Sequence, residues 1–260
     1  MLSSVSAFFP CYNDSATIEG LVLSADSALS QLSQDYEIIV VDDGSKDNSV
    51  DVLRALQARV PRLWIVEHDR NRGYGAALAS GFRAATKDFV FYTDGDGQYD
   101  PKEVLLLAAM MTPSVDVVNG YKRTRQDPWY RLFVGSVYQR AARTLFSLPI
   151  RDVDCDFRLL RREALRDIEL ESTNGAVCVE LIRKLRDSGA RMTELPVSHY
   201  ARAFGTSQFF RPKRIVRALR GFGMFYVKLV VLQGQKRRAH ARRQERLALA
   251  ERRVPTRLDR

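Results

Sequence analysis

Little in this chain could form a disulfide framework, bind a metal through soft ligands, or cross a bilayer. Only three of its 260 residues are cysteine: Cys11, Cys155 and Cys178, far apart and without a C-x-x-C pair. A disulfide-stapled scaffold and a thiolate metal site are thereby excluded. The three are expected to be reduced, buried thiols of a cytosolic protein. The histidines His68, His199 and His240 show no metal-ligand spacing, and His199 reads as structural. No apolar run reaches the roughly 18–20 residues that a spanning helix needs. The start, Met1-Leu-Ser-Ser, lacks a basic n-region, so no signal peptide is expected. Gly73 and Gly75 begin a dinucleotide fingerprint, but position 78 is Leu and the G-x-G-x-x-G spacing fails.

What the chain has in quantity is apolar residues and positive charge. At 45% hydrophobic and 28% charged it can bury a sizeable core, as one large or two small domains. A net charge of +10 asks for anionic partners: phosphate, nucleotide, nucleic acid or an acidic membrane. Short apolar runs at 5–10, 37–41, 63–66, 89–92 and 115–119 read as strands. Helical patterns at 17–32, 49–60 and 75–85, and one opening at Pro101, alternate with them. Such alternation predicts an α/β fold: a Rossmann-like, mostly parallel sheet with helices on both faces. Ligands of such sheets bind beyond the carboxyl ends of the strands.

Three turns at such ends carry the chemistry. In Tyr92-Thr-Asp-Gly-Asp-Gly-Gln-Tyr-Asp-Pro101, Asp94 and Asp96 stand one residue apart just past a buried strand. Paired carboxylates there suit a hard divalent cation that keeps positions open for phosphate. A plain Asp/Gly surface turn has the same composition. In Val40-Val-Asp-Asp-Gly-Ser-Lys-Asp47, Asp42 and Asp43 can accept from a base or from ribose hydroxyls. A capping turn around Asp47 or Asn48 is the alternative. Asn71-Arg-Gly-Tyr-Gly75 feeds a helix N-terminus, a natural seat for phosphate or sugar, or else a tight turn.

Pro10-Cys-Tyr-Asn-Asp14, Val41-Asp-Asp-Gly-Ser45, Asn71-Arg-Gly-Tyr-Gly75 and Asp94-Gly-Asp-Gly-Gln98 occur in order at fitting spacings. Together they resemble the family 2 glycosyltransferases with the GT-A fold, over about residues 5–210. Within that family the chain is similar to polyprenyl-phosphate sugar synthases of the dolichyl-phosphate mannose or glucose type. The resemblance implies an inverting, metal-dependent transferase with Mg2+ or Mn2+. A UDP- or GDP-sugar would sit on Pro10, Tyr12, Asp14, Asp42, Asp43, Gly73, Asp94 and Asp96. The metal would be held by Asp94, Asp96 and Gln98.

The resemblance also implies an acceptor site for polyprenyl phosphate at Lys122, Arg123, Arg131 and Ser136, within the basic stretch Tyr121–Arg131 and the helix after it. Lys122 replaces a family arginine and loses its bidentate fork; Gly135 replaces a family serine, with Ser136 beside it. In Asp152-Val-Asp-Cys-Asp-Phe-Arg158, Asp156 replaces a family glycine. Asp154 and Asp156 either shape the sugar and acceptor pocket or pair structurally with Arg151 and Arg158. Arg202, in a loop resembling Arg-x-x-Gly-x-Ser, would close over the diphosphate.

Beyond the catalytic domain, 1–208, composition changes. Residues 209–234 read as an amphipathic interfacial helix region and 235–260 as a basic helical or disordered tail. Both suit an anionic membrane surface, giving a peripheral enzyme on the cytoplasmic face. A membrane-protein partner or a homo-oligomer is compatible with this. No nucleic-acid motif accompanies the charge, so no nucleic acid is expected. The competing function is a soluble glycosyltransferase with a hydroxyl acceptor, for which Asp154 or Asp156 would serve as base.

Overall fold

A computed structural model of the chain describes residues 1–123 and 129–201, and beyond them Gly223, Tyr226, Val227 and Val230. Arg202 and the regions expected as interfacial helix and tail therefore lie outside the described residues, apart from those four positions. The chain divides into two units, Met1–Ala218 and Leu219–Arg260, and all the strands among the described residues lie in the first.

The strands are β1 (Val5–Cys11), β2 (Tyr36–Asp42), β3 (Leu63–Glu67), β4 (Phe89–Thr93), β5 (Val117–Lys122), β6 (Phe157–Arg161) and β7 (Met192–Val197). They form one sheet in the order β3-β2-β1-β4-β6-β5-β7. Strands β1 to β4 pair in parallel, and β7 runs parallel to β5. Only β6 is reversed, lying antiparallel between β4 and β5. The helices are α1 (Ile18–Leu32), α2 (Ser49–Gln57), α3 (Tyr74–Ala84), α4 (Val104–Met110), α5 (Trp129–Phe146) and α6 (Val177–Asp187).

Alternate residues of β1 serve opposite faces, as strand geometry requires. Val5, Ala7 and Phe9 join Ile38, Val40, Phe91 and Phe157 in a buried cluster with Leu21, Val22 and Leu29 of α1. Phe8, on the other face, stacks on Tyr92 and meets Phe82 of α3 edge-on. The expected two-sided α/β sheet is therefore present. Buried strands such as Val5–Cys11 are apolar on both faces because helices cover both.

Boundaries differ in places from expectation. The strand expected at 115–119 begins at Val117, because Val115 is held in a turn to Thr112 O and gives its carbonyl to Arg161. The second helix stops at Gln57, where Arg59 and Val60 both donate to Leu56 O. The helix opening at Pro101 starts as a three-residue 3-10 turn capped by Asp100, and then becomes α4.

Candidate active site

The parallel strands β2, β1 and β4 are neighbours, so the turns after Asp42, Cys11 and Thr93 lie side by side. Strand β5 ends at Lys122 on that same edge, and the reversed β6 begins there at Phe157. The sheet thus gathers Asp14, Asp42, Asp43, Asp94, Asp96, Lys122 and the Asp152–Asp156 turn along one edge.

The turns after β1 and β2 are laced together. Asn13 donates from its amide to Ser45 Oγ and accepts from Lys46 N at 2.7 Å. Asp14 N donates to Ser49 Oγ, while the Asp14 carboxylate takes the amide of Tyr12. Asp42 Oδ2 accepts from the amides of Gly44 and Ser45, but its Oδ1 is buried with no partner among the described residues. A buried acceptor without a donor is costly unless a ligand supplies one. Tyr12, partly exposed, stands beside this acid at the neighbouring strand end.

Asp43 behaves differently from Asp42. Its Oδ1 accepts from Arg72 N at 2.8 Å and meets His68 Nδ1 at 2.7 Å; its Oδ2 accepts from Gly73 N. His68 reaches Ser80 of α3 through Nε2. In the structure Asp43 therefore organises the Asn71–Gly75 loop. The capping alternative is also present here: Asp47 accepts from Ser49 N and Ser49 Oγ, lowering its pKa despite partial burial.

Asp94 is held well above the ordinary carboxylate range, chiefly by burial and then by the charges of Asp156 and Asp96. Tyr74 OH donates to its Oδ1 at 2.7 Å and opposes that shift. Asp96 Oδ1 accepts from Gln98 N, and Gln98 Nε2 donates to Tyr200 O at 3.0 Å. That last bond, with Tyr200 N to Gln98 O, ties the segment after β7 to the acidic turn. His199 packs edge-on against Tyr99, a structural place as expected.

Among the described residues, no three His, Cys, Asp or Glu side chains converge as a metal cage. Two adjacent carboxylates remain, and these suit Mg2+ or Mn2+ completed by substrate phosphate and water. Asp94 supports the fit: a cation would relieve the crowding that keeps its charge unfavourable.

On the acceptor side, Lys122 Nζ donates to Asp154 O at 2.7 Å and Lys122 N to Asp152 Oδ2. Gln139 of α5 donates to the other Asp152 oxygen. Arg123 and Ser136 are exposed, while the Arg131 side chain lies outside the described residues. Asp154 is raised to about 7 by burial and by Asp152 and Asp156, against the pull of Lys122. Asp156 pairs with Arg158 at 2.7 Å. That arginine, fully buried, also donates to Tyr92 OH, Asn119 Oδ1 and Val153 O.

The free cysteines are buried, and burial pushes Cys11 and Cys155 up to about 12, which makes them inert thiols. Sequence reasoning missed Tyr74, Ser80 and Glu180. Only Tyr74, inside the motif Asn71–Gly75, carried a signal.

Residues 6–169 match the description Glycosyl transferase family 2. The chain belongs to that family. An undecaprenyl-phosphate 4-deoxy-4-formamido-L-arabinose transferase of Aeromonas hydrophila subsp. hydrophila is 34% identical to this family 2 chain over 207 residues, 79% of this chain. Our chain spans 62% of that relative's length. Glucosyl-3-phosphoglycerate synthase of Mycobacterium tuberculosis, solved with Mn2+ and UDP-glucose, superposes with a TM-score of 0.65 at 18% identity, covering 87% of this chain and 79% of that one. The same enzyme with Mg2+ and UDP gives 0.59 at 19% identity, over 78% and 73%. These likenesses confirm the expected GT-A fold.

Proposed function

We propose that this family 2 member transfers a sugar from a nucleotide-sugar donor to a polyprenyl phosphate, with inversion at the anomeric carbon. The observation that carries the reading is the shared edge. Along it lie Asp42 Oδ1, unpartnered among the described residues, the crowded pair Asp94 and Asp96, and a cationic flank at Lys122. Asp42, with Asp14, Tyr12 and Pro10, would receive the nucleoside. Asp94 and Asp96 would hold Mg2+ or Mn2+, with Gln98 turned toward Tyr200 close by. When bound, the cation would neutralise the departing diphosphate. Gly73 and the loop that Asp43 anchors would border the donor, and Arg202 would close over it.

A phosphate acceptor brings its own charge, its second pKa being about 6, so it needs positioning more than deprotonation. Lys122, Arg123, Arg131 and Ser136 would supply that positioning. The relative named for transfer to undecaprenyl phosphate supports this acceptor class. Arg140, Arg143, Val137 and Leu145 on the exposed side of α5 support a site that works against an anionic lipid surface. Residues 209–260 would add to the anchoring at the cytoplasmic face. A membrane-protein partner or a second copy is compatible with this arrangement.

A hydroxyl acceptor is the second reading. The rise of Asp154 to about 7 favours it, since a base near neutrality suits deprotonation of an alcohol.

The test offers full-length protein labelled UDP- and GDP-sugars, Mn2+, and either undecaprenyl phosphate in detergent or hydroxyl acceptors. Label entering the lipid extract only with the phosphate is expected. Label on alcohols but not on lipid phosphate would overturn the lipid-phosphate reading in favour of the hydroxyl one.

A further inference from the structure

Tyr74 and Asp94 stand twenty positions apart on different elements, and their side chains meet. Tyr74 is the first residue of α3, and its hydroxyl donates to Asp94 Oδ1 at 2.7 Å.

The backbone that carries Tyr74 is fixed from both flanks. A side chain at Gly73 would lie 2.2 Å from Thr173 O, and one at Gly75 would lie 1.9 Å from Ser172 O. Gly75 N also donates to Thr173 O. The segment pressed against them is itself clamped: Glu180 of α6, fully buried, takes the amides of Glu171 and Ser172 at 2.9 and 2.8 Å. Lys184 closes that clamp at 2.7 Å. From the other direction Asp43 holds Gly73 N. The position of Tyr74 is thus set by two clamps, one on each side.

We propose that Tyr74 is a positioning residue for the cation site. Its hydroxyl, bonded to Oδ1, fixes the rotation of the Asp94 carboxylate that a metal would use. The proposal rests on the reading of Asp94 and Asp96 as the ligands. It adds that the Asn71–Gly75 loop, beyond bordering the donor, sets the geometry of the acidic turn.

The experiment uses full-length protein and compares wild type with Tyr74→Phe, which keeps the ring and removes only the donor. Whichever of UDP and GDP binds more tightly in chelator serves as the nucleotide. Calorimetry measures that binding without metal, and Mn2+ resonance measures metal binding with nucleotide saturating. Loss of a hydrogen bond to a charged group predicts Mn2+ binding weaker by roughly 10- to 100-fold. Metal-free nucleotide binding should stay within about twofold, because the variant removes only the contact to Asp94 and leaves the loop backbone on its Asp43 and Thr173 anchors. In Tyr74→Phe/Asp94→Asn, Mn2+ binding should be no weaker than in Asp94→Asn alone. Unchanged Mn2+ affinity in Tyr74→Phe overturns the proposal. So do equal losses with and without metal, or additive losses in the double variant. If neither nucleotide binds the wild type, the donor reading fails and this proposal fails with it.

Discussion

Arg158 and Asp156 lend themselves to a quantitative test, because the chain places a carboxylate where a glycine is expected in its family. The guanidinium is fully buried and donates to Asp156, Asn119 Oδ1, Val153 O and Tyr92 OH. Replacing Arg158 by Met strands the Asp156 charge; breaking a buried pair from one side costs about 3–5 kcal/mol. Asp156→Gly strands the guanidinium instead, at a similar cost, eased by the three other acceptors. Removing both leaves no unpaired charge. What remains is the loss of the arginine's other bonds, at about 1–3 kcal/mol for each buried partner left unsatisfied. The double variant should therefore be at least about 2 kcal/mol more stable than the sum of the singles predicts, within the usual range of contact couplings of about 0.5–3 kcal/mol. Urea unfolding at constant slope measures all four proteins. Additive losses would refute the ion-pair account. Asp156 would then be present for the substrate, and the competing role expected from sequence would stand.

Three further outcomes are expected. Asp96→Asn should abolish turnover with the fold intact, and excess chelator should do the same to wild type; full activity in chelator would remove the metal from the reaction. Lys122→Ala should raise the acceptor KM by roughly 10- to 100-fold, the scale of one charged contact, and leave nucleotide binding by calorimetry unchanged. The third concerns pH. Asp154 is raised on folding, so its contribution to stability is fully present below the unfolded value near 3.8 and lost as pH rises through about 7. The urea midpoint of wild type relative to Asp154→Asn should fall across that window, and a flat difference between about pH 4 and 8 would contradict the burial-driven shift.

The parallel half of the sheet was legible because each strand there is a short apolar run ending in an Asp- or Gly-bearing turn. Asp42, Asp43, Asp94 and Asp96 stood out because they directly follow buried apolar runs, whereas Asp14 was reached through the family resemblance. The reversed β6 was not legible. Phe-Arg-Leu-Leu-Arg, 157–161, has no marker of direction, and its place between β4 and β5 depends on pairings across roughly forty to seventy residues. Nor could spacing separate Asp42 from Asp43. One keeps an unpartnered oxygen and the other is consumed by His68, Arg72 and Gly73, a difference that exists only once the loops meet. Tyr74 lay inside the motif Asn71–Gly75, but its partner Asp94 arrives from the end of β4 and could not be read from spacing.

The reversed strand also dictates the order in which the molecule can be made. During synthesis β4 and β5 emerge before β6, yet neither gains its partner on that side until residues 157–161 leave the ribosome. Strand β5 waits longer still, since β7 covers its other edge only from Met192 onward. The span matching the family, 6–169, includes β6 but stops short of β7. A fragment cut at that boundary would present Val117–Lys122 as an open edge of unpaired backbone groups, the kind of surface along which chains pair with one another. Expression of the family-matched span alone is therefore an invitation to aggregation, and a soluble catalytic fragment has to run past Val197.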